Sequence, residues 1–399
     1  MAVELNVLAL SLFFLLAPNA KAQSNNGVFD VMNFGAKADG KTDISQALMA
    51  AWRKACAVVS PSKVVIPEGE YILSQVTLAG PCKAPLEVQV RGTLKATADP
   101  SKFNNVPTWV TFQRIDRFTL SGAGTFDGQG GKAAWAQNDC KQVGRCNKLP
   151  INLRFNAVTN GLVRDITSVD SKQTHINLLS CKNLTFANIT VNAPAQSPNT
   201  DGIHIGRSSG INITDSRIST GDDCVSLGEG SQKITVRRVT CGPGHGISVG
   251  SLGRYREDPV FGITVANCTL INTSNGVRVK TWPASLEGIA SDMHFEDIVM
   301  VNVSNPVLID QEYCPGNKCA KAPSRVKISN VSFKNIRGTS ATQVAVELRC
   351  SSGIPCENVE IGDINLSYIG TEGPATSRCS NVKPIITGKQ TPLACGLAV

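Results

Sequence analysis

Short apolar hexads recur along most of the chain. Leu184–Ile189, Ile213–Ile218, Ile234–Val239, Ile263–Cys268, Met293–Ile298, Val331–Ile336 and Val359–Ile364 share one pattern, most with apolar residues at positions one, three and six. Their starts lie 21 to 38 residues apart. β-branched residues are common in them, and proline and long helical patterns are scarce, so each reads as a strand followed by a bend. One strand returning at such a period predicts a solenoid.

A second apolar motif falls between these hexads. It reads Ile176-Asn177-Leu178, Ile203-His204-Ile205, Val225-Ser226-Leu227, Ile247-Ser248-Val249, Val277-Arg278-Val279 and Val307-Leu308-Ile309. Each coil therefore contributes at least two strands, and equivalent strands stack into parallel sheets about 4.8 Å apart. Stacked isoleucine and valine would fill the interior as aliphatic ladders. A leucine-rich repeat is excluded, because no L-x-x-L-x-L frame persists. The expected fold is an all-β, single-domain parallel β-helix. An open solenoid needs capped ends. Thr42–Cys56, with Ala47, Leu48, Ala51 and Trp52 on one face, predicts a short N-terminal capping helix. Cys379–Val399 is expected to be irregular and pinned by a disulfide.

The polar residues that enter the second strand carry the candidate chemistry. Two positions before the first aliphatic residue lie Thr174, Asp201, Asp223, His245, Asn275 and Asn305 on successive coils. Residues at one phase of a solenoid are neighbours, so Asp201, Asp223 and His245 form a column with Asp222 beside it. One position into the strand come His204, Ser226, Ser248 and Arg278; two further on come Gly206, Gly228, Gly250 and Lys280. Carboxylates this close cannot all ionise freely, so at least one pKa should rise. A protonated acid beside ionised ones is what glycoside hydrolysis needs. Arg278 and Lys280 offer fixed positive charge for a carboxylate-bearing sugar. A single Asp at such a bend more often just caps backbone groups. Acids, a histidine and a basic pair on consecutive coils of one face tip the balance to a site. His175, His204 and His294 fit no such cluster and read as structural, though His204 points outward near the acids.

Composition narrows the partners and the compartment. The net charge is +8, which suits an acidic substrate or matrix. Without a basic run, and with aromatics at 5%, nucleic-acid binding is not expected. Residues 1–22 read as a signal peptide: an apolar run over Val7–Leu16, then Ala20-Lys21-Ala22 before Gln23. No later apolar stretch reaches membrane-spanning length. The fourteen cysteines fit an oxidising compartment. Close spacings join Cys140 with Cys146, Cys314 with Cys319, Cys350 with Cys356 and Cys379 with Cys395 as candidates; Cys56, Cys82, Cys224 and Cys241 are further disulfide candidates. None has metal-site spacing, so no metal or cofactor is expected. Sequons begin at Asn183, Asn188, Asn212, Asn267, Asn272, Asn302, Asn330 and Asn365.

At the acid column the sequence resembles the polygalacturonases. Their four short motifs stand here as Asn199-Thr200-Asp201, Gly221-Asp222-Asp223, Gly244-His245-Gly246 and Arg278-Val279-Lys280, with Val279 where isoleucine is commoner. The segment Gly124–Gly130 also resembles the family, and the similarity runs from Val28 to the C-terminus. The resemblance implies a right-handed parallel β-helix over 23–399 that hydrolyses α-1,4 bonds of galacturonan with inversion. It implies that Asp222 is the general acid, that Asp201 and Asp223 hold and deprotonate water, and that His245 influences the acid's proton. It further implies that Arg278, Lys280 and Tyr313 contact substrate. Cys241–Tyr255 and its surroundings look most like the plant pollen group, which includes allergens, so exo action on cell-wall pectin by a secreted monomer is expected. A non-catalytic pectin-binding β-helix is the rival from another class, and a calcium-dependent pectate lyase shares the fold. One tension is visible. Inverting enzymes separate their carboxyls by about 6.5–9.5 Å, and adjacent coils favour the short end of that range or less.

Overall fold

The computed structural model describes residues 27–103, 107–131, 134–136, 149–256 and 258–395. The expected leader over 1–22, and Cys140 with Cys146, lie outside the described residues.

The hexads form strands that stack in register. Leu184 pairs with Ile211, Ile211 with Ile234, and Ile234 with Ile263, all parallel. Each of these side chains is buried at 1% exposure or less. Outward neighbours on the same strands are polar, as the two-residue period of a strand requires. Asn188, in the left-handed region at φ 54, divides Lys182–Ala187 from Thr190–Asn192. Each such coil thus carries three strands: a pair flanking this bend and one from the second motif. The result is a right-handed parallel β-helix whose strands form a 21-stranded and an 11-stranded sheet. Aromatic residues continue the interior ladder: Phe112 stacks on Phe155 at 5.1 Å, and Phe155 meets Phe186 edge-on at 5.4 Å.

The second motif builds the 11-stranded sheet. Ile176, Ile203, Val225, Ile247, Val277 and Val307 are partners on consecutive strands, so their outward neighbours also line up. This sheet carries the groove.

The ends are closed as the open ladders demand. Helix Ser45–Ala57 lies over the first coils with Ala47, Leu48, Ala51, Trp52 and Ala55 buried. Trp52 anchors it, donating from Nε1 to the Ala79 carbonyl at 3.1 Å. The C-terminal end departs from expectation. Rather than being irregular throughout, the segment after Cys379 contains strand Ile385–Thr391, which extends the ladder by pairing with Glu357–Tyr368. Backbone pairing suffices here without a buried apolar face. Disulfides join Cys56 to Cys82, Cys224 to Cys241, Cys314 to Cys319, Cys350 to Cys356 and Cys379 to Cys395. Cys181 and Cys268 are buried thiols. Asn183, Asn188, Asn267, Asn272, Asn302 and Asn330, all sequon asparagines, occupy exposed left-handed bends.

Candidate active site

The acids stand on turns that can pack only because of their glycines. A Cβ on Gly221 would fall 1.9 Å from the Ser197 carbonyl oxygen, so the Gly221-Asp222-Asp223 turn rests directly on the coil before it. Gly246, at φ +90, would place a Cβ 2.2 Å from the Asn275 carbonyl oxygen. Thr200 Oγ1 accepts from the Gly221 amide at 3.0 Å, locking the Asp201 turn to the Asp222 turn.

Each carboxylate then has its own partners. Ser226 Oγ donates to Asp201 at 2.8 Å, and His204 Nδ1 lies 2.7 Å from the same hydroxyl. Asp222 Oδ1 lies 2.9 Å from His245 Nδ1 and accepts the Asp223 amide at 2.8 Å. Asp223 is buried and receives Arg278 at 2.9 Å, Lys280 at 2.8 Å and Ser248 Oγ at 2.7 Å. His245 therefore shares a column with Asp201 and Asp223 but bonds to neither; its partner is Asp222.

These contacts set the charges. Burial, with Asp222 and Asp223 close by, pushes the Asp201 carboxyl up to about 7. Burial would raise Asp223 as well, but Lys280 and Arg278 hold it down at about 2. Burial would lower His245, yet its hydrogen bond to Asp222 and the nearby acids lift it above the usual imidazole value. One carboxyl thus retains a proton toward neutral pH while its neighbour stays ionised.

Arg278 and Lys280 leave one face of their strand, where they are 7% and 6% accessible and bound to Asp223. Gly250, on the coil between, lets the Lys280 backbone pack directly against it, since a Cβ there would fall 2.1 Å from the Lys280 carbonyl oxygen. The pair is thereby a fixed part of the acid cluster.

Tyr313 closes the C-terminal side. Lys280 Nζ lies 5.0 Å and the Arg278 guanidinium 5.8 Å from its ring centre. Trp282 packs edge-on against Tyr313 at 5.3 Å, and Arg254 sits over both Trp282 and Tyr255. Neither Trp282 nor Arg254 stands out in the sequence by itself; Trp282 directly follows the Arg278 strand, and Arg254 falls within the Cys241–Tyr255 segment. His204 was read as structural, and the structure instead joins it to Asp201 through Ser226. His175 is buried in the interior and His294 bonds to Asp292 and Ser332 away from the acids.

Asp222, Asp223 and His245 bring potential ligand atoms within 4.8 Å of one another. Both Asp223 oxygens already hold cations of the protein, and Asp222 Oδ1 is engaged by His245, so these donors are poorly placed to take a metal ion. Asp222 and Asp223, consecutive residues of one turn, bring a carboxylate oxygen of each within 4.8 Å, nearer than the usual spacing of an inverting pair.

Comparison with known proteins places these residues in a wider set. The model of glycosyl hydrolases family 28 matches residues 56–395. A polygalacturonase of Nicotiana tabacum is 57% identical, the match covering 94% of this chain and 93% of that protein. An exopolygalacturonase of Platanus acerifolia is 56% identical over 93% and 98% of the two chains. The solved exopolygalacturonase of Thermotoga maritima shares the fold with a TM-score of 0.70 at 20% identity, covering 86% and 89%.

Proposed function

The chain belongs to glycosyl hydrolases family 28 and hydrolyses pectic galacturonan, and we infer that it does so with Asp222 as proton donor. The supporting observation is the division of partners among the three acids. Asp223 is kept anionic by Arg278 and Lys280, so it orients the attacking water without taking up the cluster's proton. Burial favours the cluster's single proton on Asp201; in the reactive form that proton stands on Asp222, which leaves Asp201 ionised and, with its raised pKa, a strong base for the water's proton. Asp222 protonates the leaving oxygen. The carboxylate it becomes is balanced by His245, 2.9 Å away and inclined to be cationic. Water attacking opposite the leaving group gives inversion.

Tyr313 and the Trp282 ring beside it flank the sugar on the C-terminal side, and the basic pair draws its carboxylate toward the acids. Relatives named exopolygalacturonase support exo action. The disulfides and the expected leader support secretion to the cell wall. No helix of the described residues is long and apolar enough to cross a membrane.

Defined galacturonate oligomers test this reading. The wild type should release new reducing ends without an unsaturated, ultraviolet-absorbing product, one unit at a time, with the anomeric configuration inverted. Asp222→Asn, which keeps shape and removes the donor, should lose about 10²–10⁴-fold in kcat while still binding. Unsaturated product would make the protein a lyase, and near wild-type turnover in folded Asp222→Asn would remove Asp222 from the acid role.

A further inference from the structure

The outward column of the groove sheet continues past the acids toward the N-terminal end. Register aligns Arg154, Asn177, His204, Ser226, Ser248 and Arg278 on successive strands. Arg154 therefore lies two coils before the His204 strand and Asp201, about 10 Å along the axis at the usual strand spacing. The column has a guanidinium at each end, but the two are used differently. Arg278 gives its charge to Asp223. Arg154 enters no ion pair among the described residues. Its Nε is buried without a hydrogen-bond partner, and so is Oδ1 of Asn177 on the next strand. The charge it chiefly feels is a like one, Arg207, which is itself paired with Glu229 at 3.5 Å. Burial, with Arg207 nearby, makes the charged form of Arg154 harder to keep than usual.

A charge held beside a groove without a counter-ion is destabilising, and a buried donor left unpaired needs a reason. Both side chains are only partly buried, so a uronate carboxylate at the outer guanidinium nitrogens would supply the counter-charge that Arg154 lacks, with the sugar seated beside Asn177. Resting on the galacturonan reading above, we propose that Arg154 and Asn177 form a distal subsite that binds a galacturonate unit away from the cleaved bond. Arg154 takes the carboxylate through its fork of donors.

Three proteins and two substrates test it. Digalacturonate reaches only the acids and their immediate neighbours, whereas hexagalacturonate can extend to Arg154. Arg154→Leu should raise KM for hexagalacturonate about tenfold and leave kcat/KM for digalacturonate unchanged. Its melting temperature should stay equal or rise, since an uncompensated charge has gone. Arg154→Lys, keeping charge without the fork, should fall between Arg154→Leu and wild type on the long substrate. Equal losses on both substrates, or a lowered melting temperature with unchanged KM, would make Arg154 structural and overturn the subsite. Unchanged hexagalacturonate kinetics in Arg154→Leu would overturn it too. A wild type inactive on both oligomers would instead refute the galacturonan reading.

Discussion

Three acidic side chains crowd one column, and their neighbours decide which of them can hold a proton. Asp201 and Asp223 are pushed in opposite directions, so they act oppositely on stability. Asp201 rises to about 7 in the folded protein from an ordinary value of 3.8. Below that ordinary value its carboxyl is protonated in both folded and unfolded chains and makes no difference. As pH rises the unfolded chain ionises first, so stability falls until the folded group also ionises near 7, and the loss is complete above it. Asp223, held at about 2, does the reverse: its contribution is present above 3.8 and is lost as pH falls toward 2. Replacing Asp201 by Asn removes the unfavourable partner only. Thermal melts should therefore show Asp201→Asn more stable than wild type by several degrees at pH 8 and level with it at pH 4, though inactive at both. An equal gain at both pH values would mean that packing, not charge, sets the difference. Exchange of activity for stability at this position is what a crowded catalytic column implies.

At the scale of strands and turns, the apolar periodicity carried most of the fold. The ladder Leu184–Ile211–Ile234–Ile263 was legible because stacking demands the same residue class at the same phase. The column Asp201–Asp223–His245 was legible for the same reason. What escaped depends on reach rather than register. That Lys280 reaches back to bind Asp223, and that His245 turns to Asp222, are side-chain paths no spacing reveals. Arg154 escaped because its strand, Ile151–Asn156, turns Leu153 and Phe155 inward in place of the isoleucine and valine that mark the strands after it. The turn bearing Asp222 and Asp223 ends at Cys224, which is tied to Cys241 on the strand before Gly244 and His245. That link fixes both halves of the donor pair. Replacing Cys224 and Cys241 together by Ser should cost about 2–5 kcal/mol of stability. It should also lower kcat at temperatures where the protein remains folded, with KM less affected, because the Asp222–His245 contact loses its brace. Calorimetry and steady-state kinetics on the double variant check both, and an unchanged kcat would show that the turn is held by its backbone alone.

For the molecule as a whole, the long-range consequence is electrostatic. A chain of net charge +8 presents a groove to a polymer that carries a carboxylate on every unit. The acids of the column do not cancel this attraction, because Asp223 is matched by Arg278 and Lys280 and Asp201 tends to keep a proton. Attraction between exposed charges fades beyond about 8 Å at physiological ionic strength and about 3 Å at 1 M salt. Contacts inside the cluster, at under 3 Å and out of water, are screened much less. Salt should therefore act on encounter and distal binding and spare the chemical step. A long galacturonan engages many cations at once, and digalacturonate only those at the acids, so the two should respond unequally. Raising sodium chloride from 50 mM to 500 mM should increase KM for polygalacturonate about tenfold, increase KM for digalacturonate far less, and leave kcat nearly constant. Kinetics on both substrates across the salt series measure this directly. A kcat that falls with salt while KM holds would place the sensitive charges at the acids themselves, and a salt response equal for dimer and polymer would mean that the wider positive surface plays no part in drawing the substrate in.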